Sequence, residues 1–214
     1  MYRKYIKRLL DYILAIVLLA ALSPIMLLAA IAIKLEDPKG PALFKQKRAG
    51  KDAKIFEVYK FRTMKVETEQ DGRKLSDMER LTKVGSFLRK TSIDELPQLF
   101  NIIRGEMSFI GPRPLLPRYL PYYTQEEMKR HKVRPGISGL AQVNGRNNLN
   151  WEKRFAYDVY YVENISLMLD IKVFLLTILK VIKKDNIVIK EKNRLSDFDL
   201  ERRKQIEDRA FISE

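Results

Sequence analysis

Cysteine is absent from these 214 residues, and histidine occurs once, at His131. Those gaps exclude a disulfide framework, a thiolate nucleophile, a Cys-ligated zinc site and a multi-His metal centre. His131 sits in "KRHKVRPG", where a polar loop residue is the plainer reading than a catalyst. Acid–base or nucleophilic work then falls to carboxylates, and a hard, oxygen-ligated cation such as magnesium is the metal that suits them. Negative charge is also scarce: 27 Asp and Glu against 41 Lys and Arg give a formal net charge of +14. So basic a chain calls for an anionic partner, whether nucleic acid, an anionic membrane face or phosphorylated substrates. With 46% apolar and 32% charged residues, the composition suits one folded domain with an appendage.

What the chain does have is one long uncharged run, Ile13 to Ile33, "ILAIVLLAALSPIMLLAAIAI", of 21 residues. At about 1.5 Å per residue a helix of that length just covers the hydrocarbon core of a bilayer. The basic flank Arg3, Lys4, Lys7 and Arg8 resembles the start of a signal peptide. The run is too long for a secretory one, however, and ends in "KLEDP" with no convincing small-x-small cleavage site, so it reads as a retained anchor. Ser23-Pro24 falls at its centre. Proline there removes a backbone hydrogen bond and bends the helix, and a serine hydroxyl can satisfy a freed carbonyl. Positive residues lie on both flanks, with Lys34, Lys39, Lys45, Lys47 and Arg48 following the run. By the positive-inside tendency both ends stay in the cytoplasm, which describes a kinked re-entrant helix. The alternative is a single kinked span.

Three units follow: the anchor over 1–40, a cytoplasmic domain over 41–189 and a charged tail over 190–214, read as a solvated helix or frayed end. Residues 41–64, "PALFKQKRAGKDAKIFEVYKFRTM", alternate as a β-hairpin about a turn at Ala49 to Ala53. Residues 66–80 are polar and read as a mobile loop. Leu81, Val84, Phe87 and Leu88 mark one helix face; Leu96, Leu99, Phe100 and Ile103 mark another. "SFIGPRPLLPRYLP" is too rich in proline for regular structure and "VRPGISGLAQVNGRN" reads as a Gly-rich loop. From Ser166 to Lys184 an apolar segment interrupted by Asp170, Lys172 and Lys180 suits a helix lying in the membrane interface. A core helix of a soluble domain fits that pattern equally. The fold class is therefore mainly α with a small β-hairpin, in a monotopic membrane protein.

"RKTSIDELPQL" places Asp94 beside Glu95. Ser92 and Glu95 have capping-box spacing, but Pro97 would then be the fifth helical residue and cost a hydrogen bond. A start near Asp94 puts Pro97 in the tolerated first turn. The two acids then stand at the helix N-terminus, where the dipole keeps a carboxylate ionised and exposed. In "PRP", residues 112 to 114, two prolines preset Arg113, which suits bidentate phosphate binding. "YKFRTM" sets Lys60 and Arg62 two apart on one strand face. Taken singly, each of these cations also reads as solvated surface charge.

Together these segments resemble the bacterial sugar transferases, the monotopic polyprenyl-phosphate phosphoglycosyl transferases, and among them the small members of bacterial protein N-glycosylation. The likeness runs through the apolar anchor, "KFRTM", "SIDELPQLFNIIRGEMSFIGPRPLL", "VRPGISGLAQVNGRN" and "WEKRFAYDVYYVENISLMLDIK", nearly all of residues 1–185. It implies that a sugar-1-phosphate passes from a UDP-sugar to polyprenyl (undecaprenyl) phosphate, releasing UMP, at the cytoplasmic face of the bacterial inner membrane. By that resemblance Asp94 is the nucleophile, forms a covalent phospho-sugar intermediate and meets Mg2+. Glu95 completes the catalytic dyad. Arg113, Lys60, Arg62 and Arg89 meet phosphates, Arg146 touches the nucleotide, and Ser23-Pro24 forms the membrane kink. The nearest likeness suggests UDP-N,N'-diacetylbacillosamine as the donor, but users of galactose, glucose and N-acetylgalactosamine share these motifs, so the sequence does not fix the sugar. Partners are the UDP-sugar, the lipid phosphate and the bilayer, with no nucleic acid; a homodimer and downstream glycosyltransferases are left open. Two readings compete. One is a magnesium-dependent lipid-diphosphate hydrolase; the other is a non-enzymatic basic membrane adaptor.

Overall fold

A computed structural model describes residues 1–70, 72–145, 149–182 and 197–212. After a short π-helical turn, Tyr2–Ile6, the chain forms one helix, α1 (Lys7–Glu36), with Pro24 inside it. Pro24 leaves the carbonyl of Ala20 without an amide donor, and Ser23 Oγ donates to that oxygen at 2.8 Å. The apolar middle of α1 is bare: Leu27 and Leu28 are 62% and 65% exposed.

Both ends of α1 are tied to the same body. At its start Arg8 donates to the carbonyls of Ile102 and Ile103, at 2.6 and 3.0 Å. Close by, Asp170 receives Lys7 Nζ at 2.7 Å and the hydroxyls of Tyr2 and Tyr161. At its end Glu36 accepts the amides of Lys83 and Val84, at 2.8 and 2.9 Å, and so caps the helix that begins there. Both ends tied to one body are compatible with a monotopic membrane protein.

The hairpin forms as expected. β1 (Leu43–Ala49) pairs antiparallel with β2 (Ile55–Phe61) across a 3-10 turn at Lys51–Ala53. Residues 66–80 hold more order than a mobile loop. A two-residue pair, β3 (Glu69–Gln70) with β4 (Arg73–Lys74), precedes α2 (Asp77–Arg80), which Ser76 and Glu79 close with a capping box. Next come α3 (Lys83–Thr91) and α4 (Gln98–Arg104). On α4 the buried face is Leu99 and Ile102 with Asn101, rather than the expected stripe through Phe100. Asn101 bonds the backbone of Tyr59 and Glu57, at 3.1 and 2.7 Å, and fastens α4 to β2.

Both segments read as loops contain strand. β5 (Ser108–Ile110) pairs in parallel with β6 (Gly136–Ser138). Between them lie a 3-10 segment at Pro117–Tyr122, then α5 (Gln125–Met128). A Cβ on Gly136 would stand 2.1 Å from the Gly111 nitrogen, so only glycine allows that approach. α6 (Leu140–Asn144), α7 (Trp151–Glu163) and α8 (Leu167–Ile182) complete the domain. On α8 only one face is covered. Asp170 and Val173 are buried while Met168, Phe174, Leu175 and Leu179 stay exposed, which suits the interfacial reading better than the core one. This surface and the bare middle of α1 associate the protein with a membrane.

Of the tail over 190–214, residues 190–196, 213 and 214 lie outside the described residues; the rest is a largely exposed helix, as one of the two readings had it, but docked at its start. α9 (Phe198–Ile212) inserts Phe198, 1% exposed, among Tyr119, Tyr123, Trp151 and Phe155. His131 is likewise buried, at 5% exposure, with Nδ1 3.0 Å from the Gly50 carbonyl. Burial, reinforced by the Arg130 charge, lowers it to about 4, so the ring is neutral and structural.

Candidate active site

The acid pair owes its position to an abrupt change of direction. α3 ends at Ser92, which adopts φ 58°, and a 3-10 turn over Ile93–Glu95 follows at once. Pro97, at φ −60°, is the N-cap of α4, where its missing N–H costs nothing. The Ser92 side chain makes no capping bond, so the capping-box alternative is not formed. Asp94 and Glu95 stand one tight turn ahead of the helix and face a cleft of about 1210 Å³. The cleft also collects Lys60 from β2, Arg89 from α3 and Arg113 from the Pro-Arg-Pro segment.

The two carboxylates are held differently. Glu95 Oε1 accepts Lys60 Nζ at 2.6 Å and lies 3.7 Å from Arg113 Nη2. Among the described residues no hydrogen bond or ion pair holds Asp94. Burial, then the charge of Glu95, raises Asp94 to about 6, against the opposing pull of Lys60, Arg89 and Arg113. The expectation of a carboxylate kept ionised and exposed is therefore corrected: the group is half-buried and harder to ionise.

The expected phosphate contacts divide. Lys60 and Arg113 meet at Glu95. Arg89 reaches the cleft with Nε donating to Thr63 Oγ1 at 2.9 Å. That contact needs α3 to approach closely: a Cβ on Gly85 would stand 2.0 Å from the Thr63 oxygen. Arg62 follows the end of β2, is 8% exposed, and is paired with the Asp37 carboxylate and with the carbonyls of Asp37 and Pro41. Its bonds fasten the end of the anchor to the hairpin. Arg146 lies outside the described residues.

Sequence reasoning missed the support behind Arg113. The Pro112 carbonyl accepts the Gly136 amide at 3.0 Å, and the Arg113 carbonyl accepts Arg130 Nη2 at 2.7 Å. Arg130 is in turn held by Asp158, with both side chains 2% exposed. It missed Arg48 and Arg154 as well, and both line the cleft. Strand alternation would have found Arg48, which the hairpin register sets on the face of Lys60. No local pattern flags Arg154.

An Arg between two prolines, two further cations and one carboxylate without a partner among the described residues form a place where a nucleophile can meet phosphate charge. Comparison with known proteins gives the family. The family model described as bacterial sugar transferase matches residues 2–184. An uncharacterized sugar transferase, EpsL of Bacillus subtilis, is 50% identical over 85% of this chain and 90% of its own length. A UDP-glucose:undecaprenyl-phosphate glucose-1-phosphate transferase of Klebsiella pneumoniae is 45% identical over 81% of this chain, but only 39% of that protein. For a UDP-N-acetylgalactosamine-undecaprenyl-phosphate N-acetylgalactosaminephosphotransferase of Aeromonas hydrophila the figures are 43%, 81% and 43%. The chain thus spans less than half the length of these two relatives.

Proposed function

The chain belongs to the bacterial sugar transferase family, and we propose that it passes a sugar-1-phosphate from a UDP-sugar to polyprenyl (undecaprenyl) phosphate, releasing UMP. The work is done at the cytoplasmic face of the bacterial inner membrane, with the anchor over 1–40 re-entering it and the domain over 41–189 carrying the chemistry. The observation that carries this reading is the unequal treatment of the dyad: Lys60 holds Glu95 at 2.6 Å, and Asp94 is left to react.

Asp94 attacks the phosphorus that bears the sugar and forms an aspartyl phospho-sugar; the lipid phosphate then displaces it. A carboxylate approaches a diphosphate only when cations offset its charge, which Arg113, Lys60 and Arg89 do from three elements. Glu95, fixed by Lys60, orients the incoming phosphate. No cluster of three or more Asp, Glu, His or Cys that could hold a metal occurs among the described residues. Mg2+ binds through one or two carboxylates and the substrate's own phosphates, and the cleft lining offers Asp94 and Glu95. Asp94 would hold it, and the ion would neutralise diphosphate charge.

The test is UMP release by the purified chain in detergent with Mg2+, before and after adding undecaprenyl phosphate. The donors are UDP-N,N'-diacetylbacillosamine, UDP-glucose and UDP-N-acetylgalactosamine. A sugar-diphospholipid product from one donor is expected. Free sugar phosphate with no lipid product would replace the transferase by the hydrolase, and UMP from none would leave the membrane adaptor.

A further inference from the structure

One charged cluster in the cleft is left over by that mechanism. The hairpin register sets Arg48 opposite Phe56, on the strand face that carries Lys60. From the far side α7 contributes Arg154, and Arg113 lies near both, since its charge acts on each of them. Arg48 donates to the neutral amide oxygen of Gln46 and forms no ion pair with any of the described residues. Burial, then the Arg113 charge, pulls Arg48 down to about 10 and Arg154 below the usual guanidinium range. Asp158 offsets part of the Arg154 charge and also accepts two hydrogen bonds from Arg130.

Packing accounts for part of the arrangement. Arg154 lies over the Trp151 ring, 4.4 Å from its centroid. No such contact explains why a half-buried Arg48 stands where the Arg113 charge reaches it. Like charges gathered at a cleft wall raise the energy of the empty protein, and an anion bound among them relieves it.

We infer that Arg48 and Arg154 join Arg113 in a subsite for the leaving phosphate of the nucleotide-sugar, separate from the Lys60 and Arg89 positions that meet the transferred phosphate. The inference rests on the proposed transferase reading. A carboxylate oxygen of Asp94 bonds to the sugar-bearing phosphorus, and the bond from that phosphorus to the bridging oxygen breaks. The electron pair stays on the bridging oxygen, now terminal on the nucleoside monophosphate, and no proton is required. One extra negative charge thus appears on the phosphate beside three guanidinia. Arginine suits this place because its planar fork grips two phosphate oxygens at once, as an ammonium does not.

The experiment compares Arg48→Ala, Arg154→Ala and Arg48→Lys with the unaltered full chain in detergent, with melting temperatures recorded to establish folding. It measures kcat for UMP release and inhibition by added UMP and by uridine. Each alanine variant is expected to weaken UMP inhibition by about tenfold or more and to lower kcat by about 10- to 100-fold. Uridine, which has no phosphate, should inhibit all forms alike, and Arg48→Lys should recover only part of the UMP inhibition. Alanine variants that keep both kcat and UMP inhibition within twofold would overturn the subsite while leaving the transferase standing. An unaltered chain that releases no UMP from any donor would overturn the reaction, and the subsite with it.

Discussion

Lys60 donates to Glu95 Oε1 at 2.6 Å, and the adjacent carboxylate, Asp94, receives no such bond from any of the described residues. Lys60 and Glu95 act on Asp94 with opposite sign: the cation lowers its pKa and the carboxylate raises it. In Lys60→Gln the largest of the lowering charges is gone and Glu95 loses its nearer cation, so Asp94 becomes harder to ionise. The acid limb of the kcat/KM profile, expected near pH 6 in the unaltered chain, should move to higher pH. An unmoved limb would show that Asp94 does not govern it.

Asp94 also costs stability. Its folded-state pKa lies above its ordinary value, so its stabilising share is complete below about pH 4 and is lost as the pH rises through about 6. Asp94→Asn removes the charge without changing shape. The variant should be inactive and yet melt higher than the parent at pH 8, by the equivalent of at most about 3 kcal/mol. The two melting temperatures should converge at pH 4.

Asp158→Asn breaks a buried ion pair from one side and leaves Arg130 charged where both partners are 2% exposed. A loss of about 3–5 kcal/mol is expected in chemical unfolding. The same change loosens the Arg130 bond to the Arg113 carbonyl, so variants that still fold should show a raised KM for the UDP-sugar.

Phe198 fixes the C-terminal helix from beyond the 2–184 span of the family model. Its ring lies 4.9 Å from that of Phe155 and 5.2 Å from that of Tyr123, and Arg202 adds an ion pair to Glu127 at 2.6 Å. Phe198→Ala should cost about 3–5 kcal/mol at that contact and release α9 to protease before the domain itself unfolds. Equal cleavage rates in both forms would contradict the docking.

Some of this was legible in the sequence because its cause is local. Alternation writes the hairpin, the uncharged run writes α1, and Pro97 rules out a helix that starts at Ser92. The rest depends on contacts between distant segments. β5 and β6 are three residues each and pair only because Gly111 and Gly136 let two backbones touch, which no periodicity records. Arg62 resembled Lys60 in spacing, but Asp37 on the anchor claims it. Arg130, Asp158 and Arg154 gain meaning from one another across the fold, while the charged tail conceals in Phe198 the residue that docks it.

The central claim is that Asp94 becomes covalently attached to the sugar phosphate. The chain, incubated with its UDP-sugar and Mg2+ and without lipid phosphate, should be quenched in acid and examined by intact-mass spectrometry. The account predicts a mass gain of one sugar phosphate, placed on the peptide that contains Asp94, absent from Asp94→Asn and removed by adding undecaprenyl phosphate. Full turnover to lipid product with no such adduct at any time, or turnover preserved in Asp94→Asn, would contradict it.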